Sequence, residues 1–423
     1  MTPADSPISI GAGFRALCLA TGLTLSGAAF AASPSEPPGT HIQLDPSTLP
    51  APDATEAVGN FSELVTASDH PPFQLPPGFA VNLFAKGFDR ARWLAIAPDG
   101  AVLLSEGRDG QITRIVDSDG DGVADSSRIL AAGFHGPHGM AFHDGMLYVA
   151  DIEGIWKLPY QPEGTLTKPS RTRITAKGAF GEGQGHWTRN LVFSPDGSRI
   201  YVAIGSESNV AVEPLPRASI QSFAADGSDQ KTVATGIRNP VGLAFYPGSH
   251  DLYAVVNERD GLGDGLVPDY LTRIQEGADY GWPYFYIGNH RQPDIEIPAG
   301  VSGDKVTEPD LLFRSHSAPL GLVFYDGKQF PAEYRGDAFV ALHGSWNAGK
   351  PQGYMVVRVP FANGRPKGWY EPFLTGFWIG GNDPPKVFGR PVGLVVAPDG
   401  SLLVADDASQ SIWRISWKGV DPE

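Results

Sequence analysis

The chain has 423 residues and a formal net charge of −15, and it carries no basic cluster, so nucleic acid and anionic membrane surfaces are poor partners. Glycine and proline are abundant, at 52 and 38 residues, and no long segment has a 3.6-residue period, which favours an all-β fold. The one cysteine, Cys18, sits in the N-terminal segment, which excludes a disulfide framework and a thiol nucleophile from the rest.

Taken in order, Arg15 precedes the apolar run ALCLATGLTLSGAAF, and Ala29-Phe30-Ala31 fits a small-x-small cleavage site. Residues 1–31 therefore read as a signal peptide cut near Ala31. The run is too short to span a bilayer, so a periplasmic or secreted protein without stable membrane insertion is expected. Residues 32–75 are rich in Pro, Ser and Thr and read as a tether with little regular structure. PPGFAVNLFAKGF, from Pro76 to Phe88, is the first strand candidate.

Six related phrases follow, opening at Leu94, Gly139, Asn190, Gly242, Gly321 and Gly393. Each has a short apolar strand, a turn, a second strand and a polar loop. The first spacings suit propeller repeats of roughly 40–50 residues. The excess between Leu262 and His316 and between Pro360 and Lys386 reads as insertions. The expected fold is a six-bladed β-propeller of four-stranded antiparallel blades over 76–417, closed by the N-terminal strand, with a tail at 418–423.

Antiparallel strands send successive loops to alternate faces. The turns at Asp99-Gly100, Asp196-Gly197 and Asp399-Gly400 share one face. Loops after strand two carry Arg108, Asp151, Ser206, Asn257 to Asp260, His343 to Asn347, and Asp406. Loops entering strand one carry His135, His138, His186, Arg189, Arg238-Asn239, His316 and Arg390. Both classes belong to the opposite face, where function is expected.

A neutral imidazole at His186, in GQGHWTRN, can take a proton from a hydroxyl, or can simply bond a loop carbonyl. Arg238 offers a planar fork for carboxylate or quinone oxygens, or a partner for Glu258. Asn257 to Gly261 is oxygen-rich and suits either calcium or a solvated turn. Asp117, Asp119, Asp121 and Asp125 resemble the start of a calcium loop, but Arg128 stands where the twelfth-position Glu belongs; this is a structural calcium loop or an acidic hairpin on the far face. Tyr280 to Tyr284 suits blade packing or sugar stacking.

TGIRNP from Thr235, NERDG from Asn257, GADYGWP from Gly277, HSAPLGLVFY from His316 and HGSWN from His343 together resemble soluble quinoprotein sugar dehydrogenases that use pyrroloquinoline quinone. The L-sorbosone and pyranose dehydrogenase branch is the nearest in wording. The resemblance implies a six-bladed propeller with quinone and calcium on its top face, oxidising a sugar or sugar-derived aldehyde by hydride transfer. It implies His186 as general base, with Arg238 and Asn239 in the catalytic group. Cofactor contacts carried over are Arg108, Arg238, Asn239, His343, Trp346, Asn347 and Arg390. The catalytic calcium falls at Arg259, Asp260 and Gly261, partly through backbone carbonyls. Ser206 departs from the family by standing where an aspartate supports the histidine, and the family's cofactor lysine has no match. No CxxCH motif is present, so electrons are expected to leave to an external quinone or cytochrome. A calcium-dependent propeller lactonase and a non-catalytic carbohydrate-binding propeller are the other readings.

Overall fold

In the computed structural model the described residues are 34–65, 71–163, 170–182 and 185–419. The signal-peptide expectation for 1–31 lies outside them, as do the last four residues of the tail. Six four-stranded antiparallel sheets dominate the described residues, in the manner of a β-propeller. Their first strands are Ala91–Ile96, Met140–His143, Leu191–Phe193, Asn239–Phe245, Pro319–Phe324 and Pro391–Val396. These are the strands that open the repeated phrase.

The phrase has a local cause at each end. Asp99, Asp196 and Asp399 each accept the backbone N–H two residues on, at 3.3, 3.1 and 2.9 Å. The glycines that follow them lie at φ 84°, 71° and 86°, where a side chain is strained. The opening glycine answers to packing between sheets. A Cβ on Gly321 would lie 2.1 Å from the Val392 carbonyl, and one on Gly393 would lie 2.4 Å from the Arg92 carbonyl. Neighbouring first strands approach too closely there for any side chain.

The second strands carry the core. Ala338–Leu342 and Leu402–Asp406 are buried at every position, because each sheet is covered on both faces by its neighbours. The sixth sheet takes its outer strand from ahead of the first repeated phrase. Phe79–Lys86 pairs antiparallel with Ser411–Trp417, Phe79 opposite Trp417 and Val81 opposite Ile415. Edge-on contacts of Phe79 with Phe330, Tyr334 and Phe373, at centroid distances of 4.7, 5.2 and 4.9 Å, bury it against the fifth sheet.

Residues 34–65 have little regular structure, a 3-10 turn at Pro46–Thr48 and a short strand at Glu63–Leu64, yet they are bound along their length. Ile42 exchanges backbone hydrogen bonds with Tyr370 at 2.8 and 2.9 Å. Asp53 N–H donates to Leu262 at 3.1 Å, and Glu63–Leu64 pairs parallel with Lys386–Val387. The segment is a strap lying on the sheets. The two long intervals hold small hairpins, Phe285–Tyr286 with His290–Arg291 and Trp378–Gly380 with Lys386–Val387.

Candidate active site

A cleft of about 370 Å³ opens where the entry loops and the loops after strand two meet. His186, Arg238, Asn239, His343, Trp346, Asn347 and Arg390 all line it. So do Arg92, Trp187, Glu258, Asp260, Asp269 and His316.

His186 enters on the loop before Leu191–Phe193. Its Nδ1 lies 2.8 Å from the Ser206 carbonyl oxygen and 3.0 Å from Ser206 Oγ. The carbonyl can only accept, and the Ser206 hydroxyl donates its proton to Ser208 O at 2.7 Å. The ring proton therefore belongs on Nδ1, and Nε2 keeps a free lone pair. Burial, and then the Arg238 charge, lower the His186 pKa to about 4, so the ring is neutral at ordinary pH. The ring is thus anchored by a backbone carbonyl seconded by a serine hydroxyl.

Arg238 does not present a free fork. Its five N–H groups go to Asn209 O and Oδ1, Asn257 O, Glu258 O and Asp260 Oδ2. It clamps the loop after Leu252–Asn257 and brings a fixed positive charge beside His186. Asp260 receives a second bond from Asn347 Nδ2 at 2.8 Å, and its pKa stays low despite burial because His316 and Arg238 face it. Deeper on this side, burial raises Glu258 to about 8 and Asp269 to about 7. Both carboxyls are held by backbone: Asp269 accepts from Glu258 N–H and Ala318 N–H at 2.9 and 2.8 Å.

The opposite wall is basic. His343 Nε2 meets Asp407 Oδ1 at 2.9 Å, and Asp407 Oδ2 meets Arg92 Nη1 at 2.6 Å. Asp407 can only accept, so His343 carries its proton on Nε2. Burial and then Arg390 lower His343 to about 4, while the His343 and Arg92 charges hold the buried Asp407 far below the usual carboxylate range. Arg390 donates to the His343 and Gly344 carbonyls. These are neutral acceptors, and burial lowers its pKa.

Some expected residues lie elsewhere. Arg108 is a correction: its side chain is 67 % exposed, 3.5 Å from Asp89, and Arg92 lines the cleft in its stead. The Arg259 side chain turns away to Gln292 and Asp294 at 3.1 and 3.0 Å, and Gly261 lines a side cavity instead of the cleft. Asp117, Asp119 and Asp125 bring carboxylates within 4.8 Å of one another, without Asp121. Asp121 accepts from Val123 N–H at 2.7 Å. That loop borders a pocket lined by Asp99, Gly100 and Asp399, on the side of the PDG turns. The aromatic run packs inward, where Trp282 Nε1 donates to Asn209 O at 3.0 Å. Arg92 was missed although a signal existed: it stands two residues before Leu94, as Arg189 stands two before Leu191.

Comparison with known proteins bears on this site. A 404-residue alignment with a pyrroloquinoline quinone-dependent pyranose dehydrogenase of Coprinopsis cinerea is 26 % identical, covering 80 % of this chain and 54 % of the relative. The chain thus spans about half the length of that enzyme. The holo form of the quinone domain of Coprinopsis cinerea pyranose dehydrogenase superposes with a TM-score of 0.68 at 22 % identity, over 84 % of this chain and 99 % of that one. A calcium structure of the Trichoderma reesei carbohydrate-active enzyme of family AA12 gives 0.67 at 19 % identity, over 90 % and 99 %. These likenesses carry the propeller fold. The TrAA12-like family model matches residues 73–267 and 298–418, and the chain belongs to that family.

Proposed function

We propose that the protein is a quinoprotein dehydrogenase that oxidises a sugar or sugar-derived aldehyde, with pyrroloquinoline quinone and calcium in the cleft. The observation that carries this reading is His186: a neutral imidazole anchored through Nδ1, its Nε2 free, in a cleft lined by Arg92, Arg238 and Arg390. The residues fit an anionic, carbonyl-bearing cofactor. The Arg390 side chain hydrogen-bonds only neutral carbonyls among the described residues, and a carboxylate from a ligand would add a charged partner. Asn239 lines the cleft with a buried Oδ1 that has no hydrogen-bond partner among the described residues, which suits a donor group on a ligand. Oxygen donors for a hard cation gather on the acidic side, at Asn257, Glu258, Asp260 and Asp269. When bound, the quinone supplies the carbon that accepts the hydride, and calcium polarises its carbonyl.

His186 Nε2 takes the proton of the reacting hydroxyl. Burial and Arg238 disfavour the resulting imidazolium, so the ring readily releases the proton to solvent once the hydride has left. Asp407 keeps the His343 ring fixed, and the arginines stabilise negative charge as it develops in the cleft. Electrons then pass to an external acceptor, a quinone or cytochrome. The close approach of Gly393 to Arg92, with Phe79–Lys86 on Ser411–Trp417, supports a ring of six blades closed by the N-terminal strand. The apolar run after Arg15 supports export to the periplasm or beyond.

Adding pyrroloquinoline quinone and calcium to purified apoprotein should produce dye-linked oxidation of aldoses, together with a saturable absorbance change from the quinone. Absence of quinone binding at micromolar concentration sinks the reading. His186→Ala should retain binding and lose about 100-fold or more in kcat; unchanged turnover would remove His186 from its role.

A further inference from the structure

The strap 34–65 precedes the family-matched residues, which begin at 73, and it walls a cavity beside the cleft. Ala57 and Val58 wall a side cavity of about 210 Å³ whose other lining includes Asp260, His316, Trp346 and Asn347. Those four residues also line the main cleft, so the two spaces share a wall. The strap is pinned to two of the three loops that carry them. Thr55 Oγ1 accepts from Asp264 N–H at 2.8 Å, and Asn60 N–H donates to Trp346 O at 2.6 Å. Asn60 Nδ2 reaches Ala348 O and Asn382 O at 2.8 and 2.6 Å. This fastening holds one side chain outward: Phe61 stacks on Trp346, centroids 5.5 Å apart and planes inclined by 26°.

Both rings are unusually open to solvent. Phe61 is 69 % exposed and Trp346 42 %. An aromatic pair held by buried amide bonds, yet left bare at the rim of a polar cleft, has no packing purpose. A pyranose ring has a C–H face that pairs with such a surface and hydroxyl edges that suit the polar side cavity. Trp346 lines the cleft that holds His186, while Phe61 lies on the far side of it, on the strap.

We propose that Phe61 and Trp346 form a platform for a sugar ring of the substrate other than the one being oxidised, so that the preferred substrate is a disaccharide or longer saccharide. The proposal rests on the sugar-oxidising reading of the cleft. The reacting ring enters toward His186, and the next ring lies across the aromatic pair.

The test compares wild type, Phe61→Ala and Phe61→Trp, with glucose, maltose and cellobiose as probes. In the quinone- and calcium-loaded enzyme, Phe61→Ala should raise KM for the better disaccharide about five- to tenfold, with glucose KM and the quinone titration changed less than about twofold. Phe61→Trp should restore the disaccharide KM. Equal effects on glucose and disaccharides, or none on either, overturn the platform while leaving the quinone reading standing. Calorimetric titration of the three sugars gives a readout independent of turnover. If quinone fails to bind, the dehydrogenase reading falls; disaccharide binding that weakens in Phe61→Ala still upholds the platform, and equal or undetectable binding in both proteins overturns it.

Discussion

His186 is held by an acceptor that a sequence cannot spell. Its position was legible, since GQGHWTRN stands on the loop entering a first strand. Its anchor was not, because the Ser206 main-chain carbonyl would be present whatever residue stood at 206. The Ser206 hydroxyl adds only a second, longer contact at 3.0 Å. Ser206→Ala should accordingly lower kcat less than about fivefold, the value of one modest hydrogen bond, and leave the pH profile in place, as measured by steady-state kinetics from pH 4 to 8. The same limit of vision explains the arginines. Arg238 had two readings, a fork for ligand and a partner for Glu258, and its guanidinium is held by its own loops, the Glu258 carbonyl and the Asp260 carboxylate among them. Arg108, a cofactor contact by loop class and family resemblance, has its side chain in solvent.

At the scale of the element, sorting loops by face found the rim but could not separate ligands from struts. Asp406 follows a second strand, as the functional candidates do. It is fully buried, and its Oδ1 accepts the N–H groups of Arg390, Ala408 and Ser409 at 2.8, 3.1 and 3.0 Å. Asp151 does the same for His135, Glu153 and Gly154. These aspartates tie the loop entering a sheet to the loop leaving its second strand. Burial raises the pKa of both, the strain of keeping a charge inside. Asp406→Ala would orphan three backbone donors and free the turn that carries Arg390. It should destabilise the protein by about 3 kcal/mol or more, read as a lower denaturant midpoint, and weaken quinone binding; Asp151→Ala should cost similar stability and spare the quinone.

For the molecule as a whole, the repeated phrase was enough to foresee an all-β fold with six four-stranded antiparallel sheets. The docking of the strap was hidden, because its anchors are main-chain bonds and scattered side chains such as Thr55 and Asn60 in a Pro-rich stretch without periodicity. Charge inside the site also governs overall stability. His186 and His343 have an ordinary value of 6.5 and fall to about 4 when folded. The unfolded chain takes up these protons below pH 6.5 while the folded one refuses them. Their contribution is complete above pH 6.5 and is lost as pH falls to about 4. Melting temperature should decline through that window, and more gently in His343→Gln, followed by circular dichroism.

The pairing of Phe79–Lys86 with Ser411–Trp417 also sets an order of events in time. Phe79–Lys86 waits for Ser411–Trp417, because its partner is more than three hundred residues further along the chain. Until that partner is made, the sixth sheet lacks two of its strands, and Phe79 has only the rings of Phe330, Tyr334 and Phe373 to lie on. Completion of the sixth sheet is therefore a late step in folding, with the slow closure expected of a contact so distant in sequence. A chain threaded through a narrow pore would pass while these two strands were still apart, and would join them only on the far side.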